Sequence, residues 1–159
     1  MDIFFEEHKI LFVELIKSGV EFMLIGGYAV NVHGYVRATH DMDIWVKPDN
    51  KNKLKLTAVL RAKGFKEDGI KFIEQQDFEN PFAFHIGKKP LAVDFITKIS
   101  GVTYEEADAQ KMMLPLKDIT IPVIQLHHLI LSKITTGRPQ DRADIERLQE
   151  INRYKKKDE

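Results

Sequence analysis

The 159-residue sequence contains no cysteine. Disulfide bridges, thiolate zinc sites and a cysteine nucleophile are thereby excluded, and the absence fits a cytoplasmic location. It also has no excess of charge, with 24 lysines and arginines against 24 aspartates and glutamates. Bulk attraction to nucleic acid is not indicated, so an anionic ligand must be met by a local basic cluster; RNA stays open as a substrate. No stretch approaches the roughly 20 apolar residues of a membrane span. The N-terminal segment is apolar but is broken by Glu6, Glu7, His8, Lys9 and Glu14, unlike the core of a signal peptide. With 43% hydrophobic and 30% charged residues, the chain reads as a globular protein able to bury a core. One domain over 1–159 is expected, with a core over about 20–124 and C-terminal helices over 125–154.

The hydrophobic pattern predicts an α+β (mixed α/β) fold, a mixed sheet flanked by helices. Phe4, Leu11, Phe12 and Leu15 recur at helical spacing over 3–18, and Val20–Ile25 reads as a buried strand. Gly26 and Gly27 break that strand before a short helix over 28–33. Tyr35–His40 reads as loop. From Asp41 the pattern alternates, with Asp41, Asp43 and Trp45 on one side and Met42, Ile44 and Val46 on the other. After a turn at Pro48–Asn50, residues 51–63 form an amphipathic helix with Leu54, Ala58 and Leu60 inward. Residues 65–81 are poorly patterned, with strand-like pieces at 70–74. A hairpin pairs 82–86 with 91–97 across a turn at 87–90, and Asp94 points away from the face shared by Leu91, Val93 and Phe95. A helix over 104–113, a strand over 119–124 made an edge strand by Pro122, and helices over 125–136 and 139–154 complete the pattern. The tail, 155–159, reads as frayed.

Two features carry chemistry. A strand feeding a helix through glycines can hold a phosphate, because glycine lets it approach the free amides of the helix start. Two carboxylates at strand spacing, joined by a third from a neighbouring strand, can hold two Mg²⁺ ions (or Mn²⁺) against a triphosphate. Asp41, Asp43 and Asp94 meet that need if their strands are adjacent. An Asp-x-Asp pair alone is commonplace on surface strands, and Asp94 alone could be an ordinary solvent-facing residue; the combination with Gly26-Gly27 gives the pair its weight.

Gly26-Gly27, thirteen residues, then Asp41-Met42-Asp43 resembles the signature of the nucleotidyltransferase superfamily related to DNA polymerase β. Asp94 stands where that superfamily carries its third acidic residue. The string from Gly26 to Asp43 is more specifically similar to minimal AbiEii-type nucleotidyltransferases of toxin–antitoxin systems, which also carry a later segment matched here by Lys133, Gly137, Arg138 and Asp141, followed by Asp144. The resemblance covers roughly 20–148. It implies an enzyme that moves NMP from an NTP, ATP among the candidates, onto an acceptor hydroxyl with release of pyrophosphate, with an antitoxin as a further partner. Gly26 and Gly27 would cradle the β- and γ-phosphates, Asp41, Asp43 and Asp94 would ligate metal, and Asp94 would activate the acceptor. Arg37 and Thr39 would reach the triphosphate, and Lys133 and Arg138 would counter its charge.

Each basic residue has a plainer alternative. Arg37 could pair with a nearby acid on the surface, Lys133 could snorkel from an apolar helix, and Arg138 could pair with Asp141 at a helix start. Trp45 could stack a base but more often such a residue packs. The histidines at 33, 40, 85, 127 and 128 match no zinc spacing, and adjacent His127 and His128 cannot face one ion from a helix. Rival functions are a metal-dependent nuclease or phosphohydrolase, which has no need of the glycine turn, and a non-catalytic antitoxin-like partner, against which the intact carboxylates count. The acceptor stays open between a tRNA end, a protein hydroxyl and a small molecule.

Overall fold

In a computed structural model, residues 3–157 are described. Six strands form one mixed sheet: β1 (Phe22–Ile25), β2 (Met42–Val46), β3 (Ala83–Ile86), β4 (Val93–Ile96), β5 (Met112–Leu116) and β6 (Ile119–Val123), in the order β3-β4-β2-β1-β6-β5. The helices are α1 (Glu6–Lys17), α2 (Gly26–Val32), α3 (Asn50–Ala62), α4 (Glu67–Glu74), α5 (Tyr104–Ala109), α6 (Leu126–Ile134) and α7 (Pro139–Lys157). The mixed-sheet fold expected from the pattern is the one observed. β2 lies antiparallel to β1 and parallel to β4, so the two acid-bearing strands are neighbours.

Every residue of β1 is buried, as a central strand with both faces covered requires. On one face, Phe12 of α1 stacks on Phe22 at 6.1 Å, beside Ile44 and Val46. On the other, Tyr104 of α5 meets Trp45 edge-on at 5.1 Å, and the Trp45 indole N–H donates to the Thr97 carbonyl at 3.0 Å. Trp45 is therefore packing. Fully burying side chains such as Phe12, Leu15 and Trp45 contributes about 2 kcal/mol apiece.

Several expectations are corrected. Residues 70–74 lie in α4, where Ile70 and Ile73 bury one helical face and Glu67 and Asp68 favour the N-terminal turn. The predicted helix over 104–113 stops at Ala109, and Met112–Leu116 forms β5, whose half-buried Met112, Leu114 and Leu116 alternate with exposed Met113 and Pro115. Because β5 takes the sheet edge, β6 is internal despite Pro122. Pro122 faces Met113 of β5, and the pairing with β1 begins only at Val123, so no ladder bond to β1 is lost. Of the inward residues proposed for the 51–63 helix only Leu60 is buried; Leu54 and Ala58 are exposed. Lys53 takes an inward position instead, its ammonium donating to the Gln76 carbonyl at 2.6 Å and lying 5.9 Å from the Phe78 ring. Lysines 155–157, expected to fray, remain helical at the end of α7, where cations complement the helix dipole; residues 158 and 159 lie outside those described.

Candidate active site

The three acids converge because of strand register. Ile25 at the end of β1 pairs with Asp43, and Asp43 pairs in turn with Asp94 across the parallel β2–β4 contact. Asp41 sits immediately before β2. This arrangement explains the glycine pair. Gly26 has φ +67°, and a Cβ there would collide with the Asp43 carboxylate. A Cβ on Gly27 would lie 2.5 Å from Thr39 Oγ1 and 3.4 Å from Arg37 Nη1. Close approach of the carboxylate strand and of the loop over 35–40 therefore demands glycine at both positions.

The carboxylates are electrostatically strained. Burial, then the neighbouring Asp94 and Asp41 charges, pushes Asp43 up to about 7, against the pull of Lys133 and Arg138. One oxygen of Asp41 is buried without a hydrogen-bond partner. Asp94 is partly exposed and takes a hydrogen bond from His85 Nδ1 at 2.7 Å, while His85 Nε2 lies 3.0 Å from the Gly87 carbonyl. Both ring nitrogens thus face acceptors, which suits the doubly protonated ring, and the bond it donates to Asp94 raises the His85 pKa. Among the described residues no three acidic or histidine side chains are close enough to enclose a cation. Carboxylate oxygens are the donor type that a divalent cation such as Mg²⁺ takes, and Asp41, Asp43 and Asp94 are the residues here that would hold one.

The basic residues singled out in the sequence form a buried network rather than a free cluster. Arg37 makes a bidentate pair with Asp144 at 2.8 and 2.7 Å. Lys133 reaches both Asp141 and Asp144 at 3.0 Å. Asp141 also accepts from Thr136 at 2.5 Å and Arg138 Nε at 2.8 Å, and Asp144 from Gln140 at 3.1 Å. Asp144 is wholly buried, Asp141 and Lys133 nearly so, whereas the Arg138 side chain is 74% exposed. Burial alone would raise both carboxyl pKa values; the donors from Thr136, Lys133, Arg138, Arg37 and Gln140 outweigh it and hold both below the usual range. Three cations meet two carboxylates, leaving one positive charge in excess. Thr39 lies in the same loop as Arg37, its hydroxyl donating to the Asp41 carbonyl at 3.3 Å.

Two recesses meet at the carboxylates, sharing Gly26, Asp43, Asp94, Lys133, Arg138 and Asp141. The polar lobe, about 490 Å³, adds Gly27, Arg37, Thr39, His40, Asp41, Lys89 and Gln140. The other lobe, about 710 Å³, runs along β3 and β4 beneath α6 and is lined by Ala83, His85, Ile96, Ile99, Leu129, Ser132 and Thr136. All nine sequence-derived candidates therefore lie at this one centre: Asp41, Asp43, Asp94, Gly26, Gly27, Arg37, Thr39, Lys133 and Arg138. His85, weighed in the sequence only as a zinc ligand and set aside on spacing, belongs to the centre through its bond to Asp94. Its signal was the predicted hairpin, whose register sets it opposite Asp94.

The fold is similar to that of a solved structure, the lincosamide antibiotic adenylyltransferase LnuA with lincomycin bound. The TM-score is 0.60 at 19% identity, covering 95% of this chain and 99% of that one. No curated protein matches the sequence. Residues 5–159 match the model of a family described as "nucleotidyl transferase of unknown function (DUF2204)", and the chain belongs to that family of nucleotidyltransferases.

Proposed function

We propose that the protein is a metal-dependent nucleotidyltransferase that uses Asp41, Asp43 and Asp94 to move NMP from an NTP onto a hydroxyl of a small-molecule acceptor. The observation that carries this reading is the Asp43–Asp94 register pair, with its elevated Asp43 and the orphaned Asp41 oxygen. Such carboxylates are costly to hold together unless a divalent cation comes to them. Bound there, Mg²⁺ would polarise the α-phosphate and neutralise charge on the departing pyrophosphate.

The chain's own residues supply the rest. Gly26 and Gly27 line the polar lobe with bare backbone, against which a triphosphate can lie beside Thr39. The excess charge of the Arg37–Asp144–Lys133–Asp141–Arg138 network falls on Arg138, whose two terminal nitrogens make no hydrogen bond with any described residue and can meet phosphate oxygens. Asp94, at the boundary of the two lobes, is set to take the acceptor's proton. The acceptor oxygen then bonds to the α-phosphorus as the bond to the bridging α,β-oxygen breaks, and pyrophosphate leaves with that electron pair.

The larger lobe supports a small acceptor. Its volume suits a drug-sized molecule, and it combines apolar Ile96, Ile99 and Leu129 with hydroxyls from Ser132 and Thr136. The bound lincomycin in LnuA gives the same indication. The test incubates the protein with each α-labelled NTP, Mg²⁺ and a panel of hydroxyl-bearing antibiotics, tRNA and proteins. Label on a small molecule with pyrophosphate release, lost in Asp43→Asn, is expected. Label appearing only on tRNA or protein would overturn the acceptor class, and unchanged transfer by Asp43→Asn would overturn the carboxylate assignment.

A further inference from the structure

We propose that Lys89 is the residue that binds the terminal phosphates of the donor, an inference that rests on the nucleotidyltransfer reading above. Arg37 and Lys133 both line the polar lobe, yet both are already tied to buried aspartates, and Arg138 spends Nε on Asp141. Lys89 lines the same lobe, is exposed, and makes no side-chain hydrogen bond or ion pair with any described residue. Among the described residues lining this lobe, it is the one cation whose whole charge is uncommitted.

Its backbone is held firmly although its side chain is free. Lys89 sits in the turn between β3 and β4, which the Leu91 N–H closes onto the Lys88 carbonyl at 2.8 Å. On one side the His85 ring is 3.0 Å from the Gly87 carbonyl. On the other, His8 of α1 lies 3.2 Å from the Leu91 carbonyl, and the Met42 N–H donates to Ala92 at 2.9 Å. The turn is thus fastened to the helix layer and to β2, the strand that carries Asp43. A lysine so mounted has a fixed root and a four-carbon reach, which suits a point charge that must follow phosphates from bound donor to departing pyrophosphate. It lines the lobe from the β3–β4 turn while Arg138 lines it from the residue before α7, so the two would meet the phosphates from separate elements.

The test uses inorganic tripolyphosphate, which carries the charge of the donor without its base, titrated calorimetrically into the full protein with Mg²⁺. Lys89→Ala is expected to weaken binding about 10- to 50-fold, the range of a charge-assisted phosphate contact, and to flatten its salt dependence. Lys89→Arg should recover most of the affinity. Lys88→Ala, one position away in the same turn but not lining the lobe, should stay within about twofold. The affinity for Mg²⁺ alone should be the same in all variants, which a merely structural role for Lys89 would not guarantee. Unchanged tripolyphosphate affinity in Lys89→Ala overturns the assignment, and so does an equal loss in Lys88→Ala, which would mean diffuse surface charge. Failure of the unaltered protein to bind tripolyphosphate is a different result, and overturns the donor-site reading itself.

Discussion

Asp43 gives the sharpest quantitative test, because its cost to folding has a sign opposite to that of most carboxylates. Its pKa rises from 3.8 to about 7 in the fold, first through burial and then through Asp94 and Asp41. A group whose folded pKa lies above its unfolded value contributes its full share of stability at low pH, and loses that share as pH rises through the window from about 4 to about 7. At pH 8 the ionised carboxylate should therefore oppose folding. A gap of about three pH units sets an upper limit of about 4 kcal/mol, and the partial access of water to Asp43 reduces the expectation to about 1–2 kcal/mol. Asp43→Asn, isosteric and uncharged, should recover that amount. For a protein of this size the melting temperature in EDTA at pH 8 should rise by about 3–6 °C. The advantage should shrink steadily between pH 7 and pH 4, and Mg²⁺ should raise the melting temperature of the unaltered protein more than that of the variant. Scanning fluorimetry across pH, with and without Mg²⁺, measures all three. An Asp43→Asn protein that melts lower than the unaltered one at pH 8 without metal would refute the reasoning, since the carboxylate would then already be well compensated.

Further outcomes follow from the network and from the backbone. Asp144→Ala leaves Arg37 and the buried Lys133 short of a counter-charge and should cost about 3–5 kcal/mol in urea unfolding, whereas loss of the exposed Arg138 side chain should cost under about 1 kcal/mol. Gly26→Ala should destabilise by about 2 kcal/mol or more and displace Asp43, read as a lower midpoint together with weakened Mn²⁺ binding. His8 and His33 have pKa values lowered chiefly by burial, so the stability they contribute is present above pH 6.5 and is lost as pH falls below it. That acid loss should be steeper in the Asp43→Asn background, where the opposing carboxyl no longer titrates. Lys117 occupies φ +50° in the two-residue β5–β6 turn, so Lys117→Gly should stabilise by about 0.5–1 kcal/mol, a gain visible in the urea midpoint.

The parts of the fold legible in the sequence are those where one physical signal acted alone. The alternation in Asp41–Val46 and the acid within Leu91–Thr97 were enough to put Asp43 and Asp94 on strands, but that the two strands are neighbours came only from the structure. Where two signals competed, the reading slipped. Pro115 disguised the alternation of β5, and without β5 the role of Pro122 as an edge marker followed naturally but wrongly. Lys53 occupied a buried position on α3, so the apolar residues alone gave the helix the wrong inward face.

The candidate site shows the same limit at the level of charge. Sequence spacing brings Arg37, Lys133 and Arg138 to the centre, but it carries no record of which anion each one faces. Arg37 and Asp144 are 107 positions apart, and only the docking of α6 and α7 against the loop over 35–40 joins them. Once joined, the pair changes what the motif means. Lys133 and Arg37 are bound first to buried aspartates, and they act on a phosphate through what charge is left over. Removing either aspartate should then unfold the site rather than strengthen its grip on an anion. The segment around Arg138 and Asp141 is thus both a brace and a binding surface, and what it offers a phosphate is the charge left over on Arg138 once the two aspartates are paired.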